Sequence, residues 1–357
     1  MNRKQFLVLS IVVVIIGVAG WMVYQRGNSS WQSAGQTIGG KLLPNLPIND
    51  VAQISIQSGT NELLLERTND LWRVRQRDDY PADFSKISDA LTKLADLKIV
   101  QDEEIGPSQL ARFNLLPPDT DTNAGTQVEL KDQSGKTLAS FLLGKQHMNQ
   151  QGGGEGWPDG RYVKTDDGRD VALVSDPLDN LQPKLGNWLD KTFFKVENPQ
   201  TIAVTFPVAT NSWKLTRSST TNNWQLADAK PGEKLDSSKL DGVTSPFYSP
   251  EFDDVSANAA APMDADTVTI QTFDGLDYIA KIWPAPDENY FMTISMDATG
   301  SASKNDKELA DKLAQGKQFA NWTYKIPGYS VETLLKPRSQ LLAGNNAANA
   351  SKSEDSK

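Results

Sequence analysis

The chain has 357 residues, 38% of them hydrophobic and 23% charged, with a formal net charge of −9 at pH 7. It holds no cysteine and one histidine, which excludes disulfides, thiol chemistry, cysteine-ligated metals, a lipidated amino-terminal cysteine and any histidine cluster. Residues 1–26 carry three basic side chains and no acid, so the remainder has 33 basic and 45 acidic residues, a balance of −12 that argues against nucleic acid as a partner.

The first element is FLVLSIVVVIIGVAGWMVY, residues 6–24, with Arg3 and Lys4 before it and Arg26 after it. As a helix it is roughly 28 Å long, close to the hydrocarbon thickness of a bilayer. Gly17-Val18-Ala19 offers a cleavage site and hence the alternative of a signal peptide. The apolar run continues past it, and Trp21 and Tyr24 stand where aromatic rings favour the membrane interface. Residues 1–26 are therefore expected to form a retained single-span anchor, amino terminus in the cytoplasm and body outside. Without cysteine, an extracytoplasmic body of this size fits the periplasmic side of a bacterial inner membrane.

Residues 27–47, rich in Gly, Ser, Asn and Pro, read as a flexible spacer of about 20 residues with a reach of roughly 25 Å. Residues 343–357 lack any large apolar side chain and read as a disordered tail.

The body divides into two α+β halves, 48–197 and 198–342, dominated by antiparallel sheet. VAQISIQSG and TIAVTFPV alternate apolar and polar residues, and each leads into a hairpin with a polar tip that ends on Trp72 or Trp224. In DFSKISDALTKLADLKIV, Phe84, Ile87, Leu91 and Leu94 fall at helical spacing behind Asp83 as an N-cap. The matching LDSSKLDGVTSPF has its helix cut short by Gly242 and Pro246. VELKDQSGKTLASFLLG and VTIQTFDGLDYIAKIWP are both strand pairs, turning at Gly135 and Gly275. Asn187-Trp188 and Asn321-Trp322 complete the correspondence, which reads as a duplication; chance likeness of strand patterns is the alternative.

Chemistry is sparse. His147, in GKQHMNQQGGGEGWPDG, reads as a surface-loop histidine, and Gly152–Gly154 as a hairpin tip without the Lys-Ser/Thr of a phosphate loop. Asp119, Asp121 and Asn123 have the opening spacing of a calcium loop, but Ala124 and Leu130 stand where such a loop needs glycine and glutamate. Asp102-Glu103-Glu104, Asp166-Asp167 and Asp253-Asp254 are adjacent in sequence, whereas acid–base catalysis needs carboxyls facing each other across a cleft. Trp72, Trp188, Trp224 and Trp322 are expected in the core. Trp157 and Trp283 are candidates for exposed ligand contacts. No residue is assigned as catalytic, cofactor-binding or metal-binding, and the ligand-binding residues and the oligomeric state stay open.

The succession LWRV, amphipathic helix, RFNLLPP, VELKDQSGKTLASFLLG, GRYVKTDDGRDVALVS and WLDKTFF resembles the family called domain of unknown function 4340. The resemblance rests on Phe113, Leu115 and Pro117, on Leu143-Gly144 and on Tyr162-Val163, with Trp322, Ile326 and Pro327 as its closing segment. It covers roughly residues 48–336 and extends to the anchor. The inserted DTDTNAG and the long stretch around His147 depart from the pattern. The resemblance implies an exported bacterial protein, an accessory of an ABC-type export system of the gliding-motility kind, contacting its permease or ATPase, and it brings no catalytic residues. An envelope glycan- or polymer-binding module is the second reading; a carboxylate-based hydrolase is the third.

Overall fold

The computed structural model describes residues 38–103, 105–120, 122–149, 156–166, 171–257, 259–299 and 307–343. The expected anchor, residues 27–37 of the spacer, most of the tail, Glu104, Asp121 and the Gly152–Gly154 run lie outside them. Among the described residues no helix is long and apolar enough to cross a membrane.

The chain forms two compact units, one from the residues up to Arg67 with Ser85–Pro183, the other from Thr68–Phe84 with Lys184 onward. The first unit holds β1 (Val51–Ser58), β2 (Asn61–Thr68), β5 (Ile99–Glu103), β6 (Thr126–Asp132), β7 (Thr137–Asn149), β8 (Trp157–Thr165) and β9 (Val171–Val174), with helix α1 (Phe84–Asp96). Its strands are ordered β2-β1-β6-β7-β8-β9-β5. The second unit holds β3 (Leu71–Val74) and β4 (Tyr80–Pro81). Its own sheet consists of β10 (Pro199–Thr205), β11 (Trp213–Thr216), β12 (Gln225–Leu226), β13 (Asp254–Ala257), β14 (Asp266–Thr272), β15 (Leu276–Pro284), β16 (Tyr290–Ala298) and β17 (Trp322–Ile326). Helices α2 (Lys307–Phe319) and α3 (Arg338–Leu341) complete it.

The second sheet is ordered β12-β11-β10-β14-β15-β16-β17-β13. With β1 matched to β10, β2 to β11, β5 to β13 and β6–β9 to β14–β17, the seven strands of the first order recur in the second, which adds β12 at its edge. The paired strands are antiparallel, and the class is α+β.

Period-two alternation builds these sheets. Ile54 faces Leu65 on one side and Leu130 on the other, and Ile56 faces Leu63 and Val128, all of them buried. In the second sheet Ile202 lies between Leu215 and Ile270, and Val204 between Trp213 and Val268, again buried. A slip of one residue would turn such a row to water, so the register is strongly specified. The hairpin tips follow their chemistry: Asn69 and Asp70 have φ of 51° and 62°, and Gly135 and Gly275 have φ of 83° and 88°.

Four expectations are corrected. The spacer does not run free to residue 47: Gly39 and Leu42 donate backbone hydrogen bonds to Ile99 and Leu97, and Leu42 is buried. The helix stripe begins at Ile87 and adds Ala90, leaving Phe84 65% exposed. Phe84 ends the excursion 68–84, where the Asp83 N–H donates to Trp188 O, so that segment rather than the helix face sets its position. His147 lies in strand β7 opposite Gly160, not in a loop. Asn187-Trp188 and Asn321-Trp322 are not equivalent, because residues 185–188 form a 3-10 turn while Trp322 opens β17, whose place in the order is that of β9. The sequence reading also missed α2, which has no counterpart in the first unit. It packs on β16 so closely that a Cβ at Gly316 would stand 2.6 Å from Met296 Sδ.

Residues 68–84 are bound into the second unit by several bonds. Arg77 Nε and Nη2 donate to the two carboxylate oxygens of Asp254, each at 2.6 Å. Ala82 bridges to Leu189, the Asp190 N–H donates to Pro81 O, and the Ala257 N–H donates to Asp78. The Tyr80 ring stands edge-on to Phe252 and Trp322, with centroids 6.0 and 5.0 Å away. These rings belong to an aromatic core in which Phe193 contacts Phe194, Phe252, Phe319 and Tyr324. Burial pushes the Tyr80 and Tyr324 hydroxyls well above the usual phenol range.

Candidate functional site

One cleft of the second unit begins at the β11–β12 connection. Residues 217–224 leave β11 as a polar loop. The Asn222 amide donates to Ser218 Oγ at 2.6 Å, and the Asn222 N–H donates to Ser219 O. Arg217 fixes the base of this loop, with Nε donating to Pro199 O at 2.8 Å and Nη1 to Thr220 O at 2.9 Å. Its guanidinium carbon stands 4.7 Å from the Trp224 ring centroid and 5.8 Å from that of Phe273. The cation is thus stacked as well as hydrogen-bonded, and burial pulls its pKa down.

Facing this loop is the stretch that in the first unit is helix α1. Here the Asp236 side chain accepts the Ser238 N–H and starts only a 3-10 turn, Ser237–Lys239. Gly242, at φ 76°, and Pro246 then end it. A cleft of about 640 Å³ remains, lined by Arg217, Asn222, Asn223 and Trp224 on one side and by Leu235, Ser237, Leu240, Asp241 and Thr244 on the other. Leu240 is its buried apolar floor. Beside it stand Leu235, one half-buried indole and the Arg217 guanidinium, and the rest of the lining is amide, hydroxyl and carboxylate. Such groups bind and orient a ligand, and none is a nucleophile with an adjacent base.

Two smaller clefts lie elsewhere on this unit. One, of about 190 Å³, has Phe193, Phe194, Met296 and Phe319 among its lining residues and ion pairs at its rim. Lys195 meets Glu197 at 2.8 Å, and Lys312 meets Asp274 at 3.3 Å. Tyr278 donates to Lys195 O, and burial raises its pKa to about 12. The other, of about 180 Å³, includes Phe247, Met292, Tyr248 and Tyr329. These two tyrosines are exposed, and Phe247 is held at φ 55°.

The sequence-predicted candidates are scattered. His147 Nδ1 lies 2.6 Å from Asp159 Oδ1 across β7 and β8, an exposed pair. Asp102 and Glu103 lie on β5, Asp166 accepts from Ser140 Oγ, and Asp254 is taken by Arg77. Asp119 and Asn123 border Asp121, which is outside the described residues. Among the described residues no group of three or more His, Asp and Glu side chains is placed to hold a metal ion. Trp72 and Trp188 are buried, whereas Trp224 and Trp322 are only half-buried. Trp157 is 55% exposed on β8, and Trp283 faces Phe291 at 5.9 Å. Sequence reasoning placed Trp224 in the core; the short helix opposite it was visible in Gly242 and Pro246, but the cleft this leaves was not.

In the first unit the residues of the RFNLLPP and LLG motifs meet. A 3-10 turn, Pro107–Phe113, ends with Asn114 at φ 53°, and Leu115 then packs with Leu142 and Val171, with Phe113 and Tyr162 against them. Phe113 and Tyr162 make an edge-to-face pair at 4.6 Å. Gly144 permits the approach: a Cβ there would stand 2.3 Å from Phe113 O and 2.8 Å from Leu115. The Gly144 carbonyl accepts from Arg161 Nε at 2.8 Å, and Arg161, its pKa lowered by burial, also donates to Pro177 O.

These features define an antiparallel α+β protein in which one unit has a motif packed against its sheet and the other carries open clefts, one of them mostly polar. Residues 72–267, more than half of the chain, match the family described as Domain of unknown function (DUF4340), and the chain belongs to that family. Phe113, Leu115, Pro117, Leu143-Gly144 and Tyr162-Val163 all fall inside the match, while the closing segment with Trp322, Ile326 and Pro327 lies beyond it. No curated protein and no solved structure matches the chain.

Proposed function

We propose that the protein is a non-enzymatic, extracytoplasmic interaction protein, held at the bacterial inner membrane by residues 6–24 and serving as an accessory of an ABC-type export system. The single observation that carries this reading is the pairing of a basic-flanked apolar segment of membrane length with a large, acidic two-unit body. Pinning of the chain at Gly39–Leu42 fits it, because the linker then counts from residue 27 to 38, with an r.m.s. reach of about 20 Å between bilayer and body. The two sheets with one strand order are copies of an ancestral half in this reading, and their edges offer strand addition to a partner.

Crosslinking in intact cells, followed by mild-detergent purification and mass spectrometry, tests the proposal. Permease or ATPase subunits crosslinked near the anchor are expected. Recovery of the protein alone, or a soluble protein fractionating away from membranes, would refute it. A second reading, an envelope glycan- or polymer-binding module, is favoured by the Trp224 cleft.

A further inference from the structure

We propose that the cleft between the 217–224 loop and residues 235–244 is a binding site for an uncharged oligosaccharide, with Trp224 as its stacking platform. This rests on the second reading above and supplies its site. Three observations converge on it.

The first is the platform. Sugar rings bind proteins by laying a C–H face on an aromatic ring, which requires an indole that does not have to be ordered at the moment of binding. Trp224 meets that requirement. Arg217 stacks on its ring and is itself pinned to Pro199 O and Thr220 O, so the half-buried indole is held in place where it lines the cleft.

The second is the wall. Asn222, Asn223, Ser237, Asp241 and Thr244 supply donors and acceptors around a floor that has only Leu235 and Leu240 as apolar residues. That ratio suits a ligand carrying a hydroxyl at nearly every carbon and would leave a greasy peptide side chain unmatched. The charges decide the class further. Arg217 and Asp241 are the ionised residues of the lining, one of each sign. Two of the Arg217 nitrogens already serve carbonyl oxygens, so the cleft has little to offer a strongly charged ligand.

The third is the space. At the corresponding point of the strand order the first unit spends thirteen residues on α1, with Ile87, Ala90, Leu91 and Leu94 buried. The second unit has only a 3-10 turn there, and the cleft that this stretch lines holds about 640 Å³, a volume in the range of small-molecule sites.

The experiment uses the full chain in a non-glycosidic detergent, since alkyl glycosides are themselves sugars. Maltotriose, cellotriose, laminaritriose and tri-N-acetylchitotriose are titrated by calorimetry and indole emission. Saturable binding of at least one is expected, weakened about tenfold or more by Trp224→Ala. Trp224→Phe keeps a ring and should stay within about fivefold. Asn223→Ala and Asp241→Asn leave the platform intact and should each weaken binding several-fold. Trp157→Ala, on the other unit, should change nothing. If no trisaccharide binds, the site and the glycan reading fall together. If one binds and Trp224→Ala, Asn223→Ala and Asp241→Asn all leave its affinity unchanged, the site is wrong and the glycan reading survives elsewhere on the body. Displacement of the sugar by a proline-rich peptide of higher affinity would also overturn the assignment.

Discussion

Gly144→Ala is the sharpest test of how the family motif works. The added methyl would meet Phe113 O at 2.3 Å and two Leu115 carbons at 2.8 Å, closer than real Cβ atoms come to any heavy atom. One of these neighbours is backbone and cannot swing aside, so β7 and the 113–115 segment must separate. Separation loosens the Leu115–Leu142–Val171 packing and lengthens the Arg161 bond to Gly144 O. Overpacking of this kind costs about 2–3 kcal/mol. For a unit of this size that is a fall in Tm of roughly 4–12 °C, read from near-ultraviolet circular dichroism of the purified chain. Gly135→Ala is the control. Its position is open but at φ 83°, so it meets only left-handed strain of about 1–2 kcal/mol. Leu115→Ala on top of Gly144→Ala should be less than additive, because one clash disappears with the side chain. A Gly144→Ala protein melting at or above Gly135→Ala would refute the argument that Gly144 exists to let Phe113 and Leu115 approach.

Three further predictions concern the second unit. Arg77→Ala removes a bidentate pair with Asp254 that is about a quarter to a third exposed, and solvent screening limits the cost to about 1–2 kcal/mol; hydrogen exchange over residues 68–84 should accelerate, and unchanged protection would show that the aromatic contacts of Tyr80 suffice. Arg338, buried between Asp228 and Glu233, clasps α3 to the 228–236 loop, so Arg338→Lys, which cannot serve both carboxylates in the same plane, should raise exchange at the Asp236 and Ala343 amides about tenfold. The Arg338 hydrogen bonds hold the Glu233 carboxyl down at about 2, below its ordinary 4.5. A depressed carboxyl contributes stability that is present above the unfolded value and lost as pH falls through the folded one. The clasp should therefore weaken between pH 4.5 and 2, and Glu233→Gln should flatten that part of the stability profile; a mutant profile parallel to wild type would exclude the linkage.

Much of the sheet framework was legible because alternation is a local signal. Ile54 and Ile56 announce their inward face within one strand, and Gly135 and Gly275 announce their turns by requiring positive φ. What stayed hidden depends on partners far away in sequence. Helix α2 has a glycine in its last turn and only Leu309, Gly316 and Phe319 buried, so its stripe is faint; Gly316 reads as a breaker until Met296 is seen against it. His147 looked like part of a loop because glycines follow it, yet β7 runs on to Asn149 through pairing with β8. Matching Asn187-Trp188 to Asn321-Trp322 compared letters, whereas equivalence in a sheet is decided by neighbours. The Trp224 cleft could not be read at all, since its two walls, residues 217–224 and 235–244, come together only in the fold.

The excursion of residues 68–84 has a consequence for how the chain is made. Tyr80 leaves the ribosome 242 residues before Trp322, the ring it packs against. At ordinary elongation rates of 5–20 residues per second, that is a wait of roughly 12–48 s. Through that interval a tyrosine destined for an aromatic core stands uncovered in the nascent chain. The second unit cannot close until nearly the whole protein has been synthesised, and no single cut in the gene, not even at residue 183, yields a fragment that contains all of it and nothing of the first.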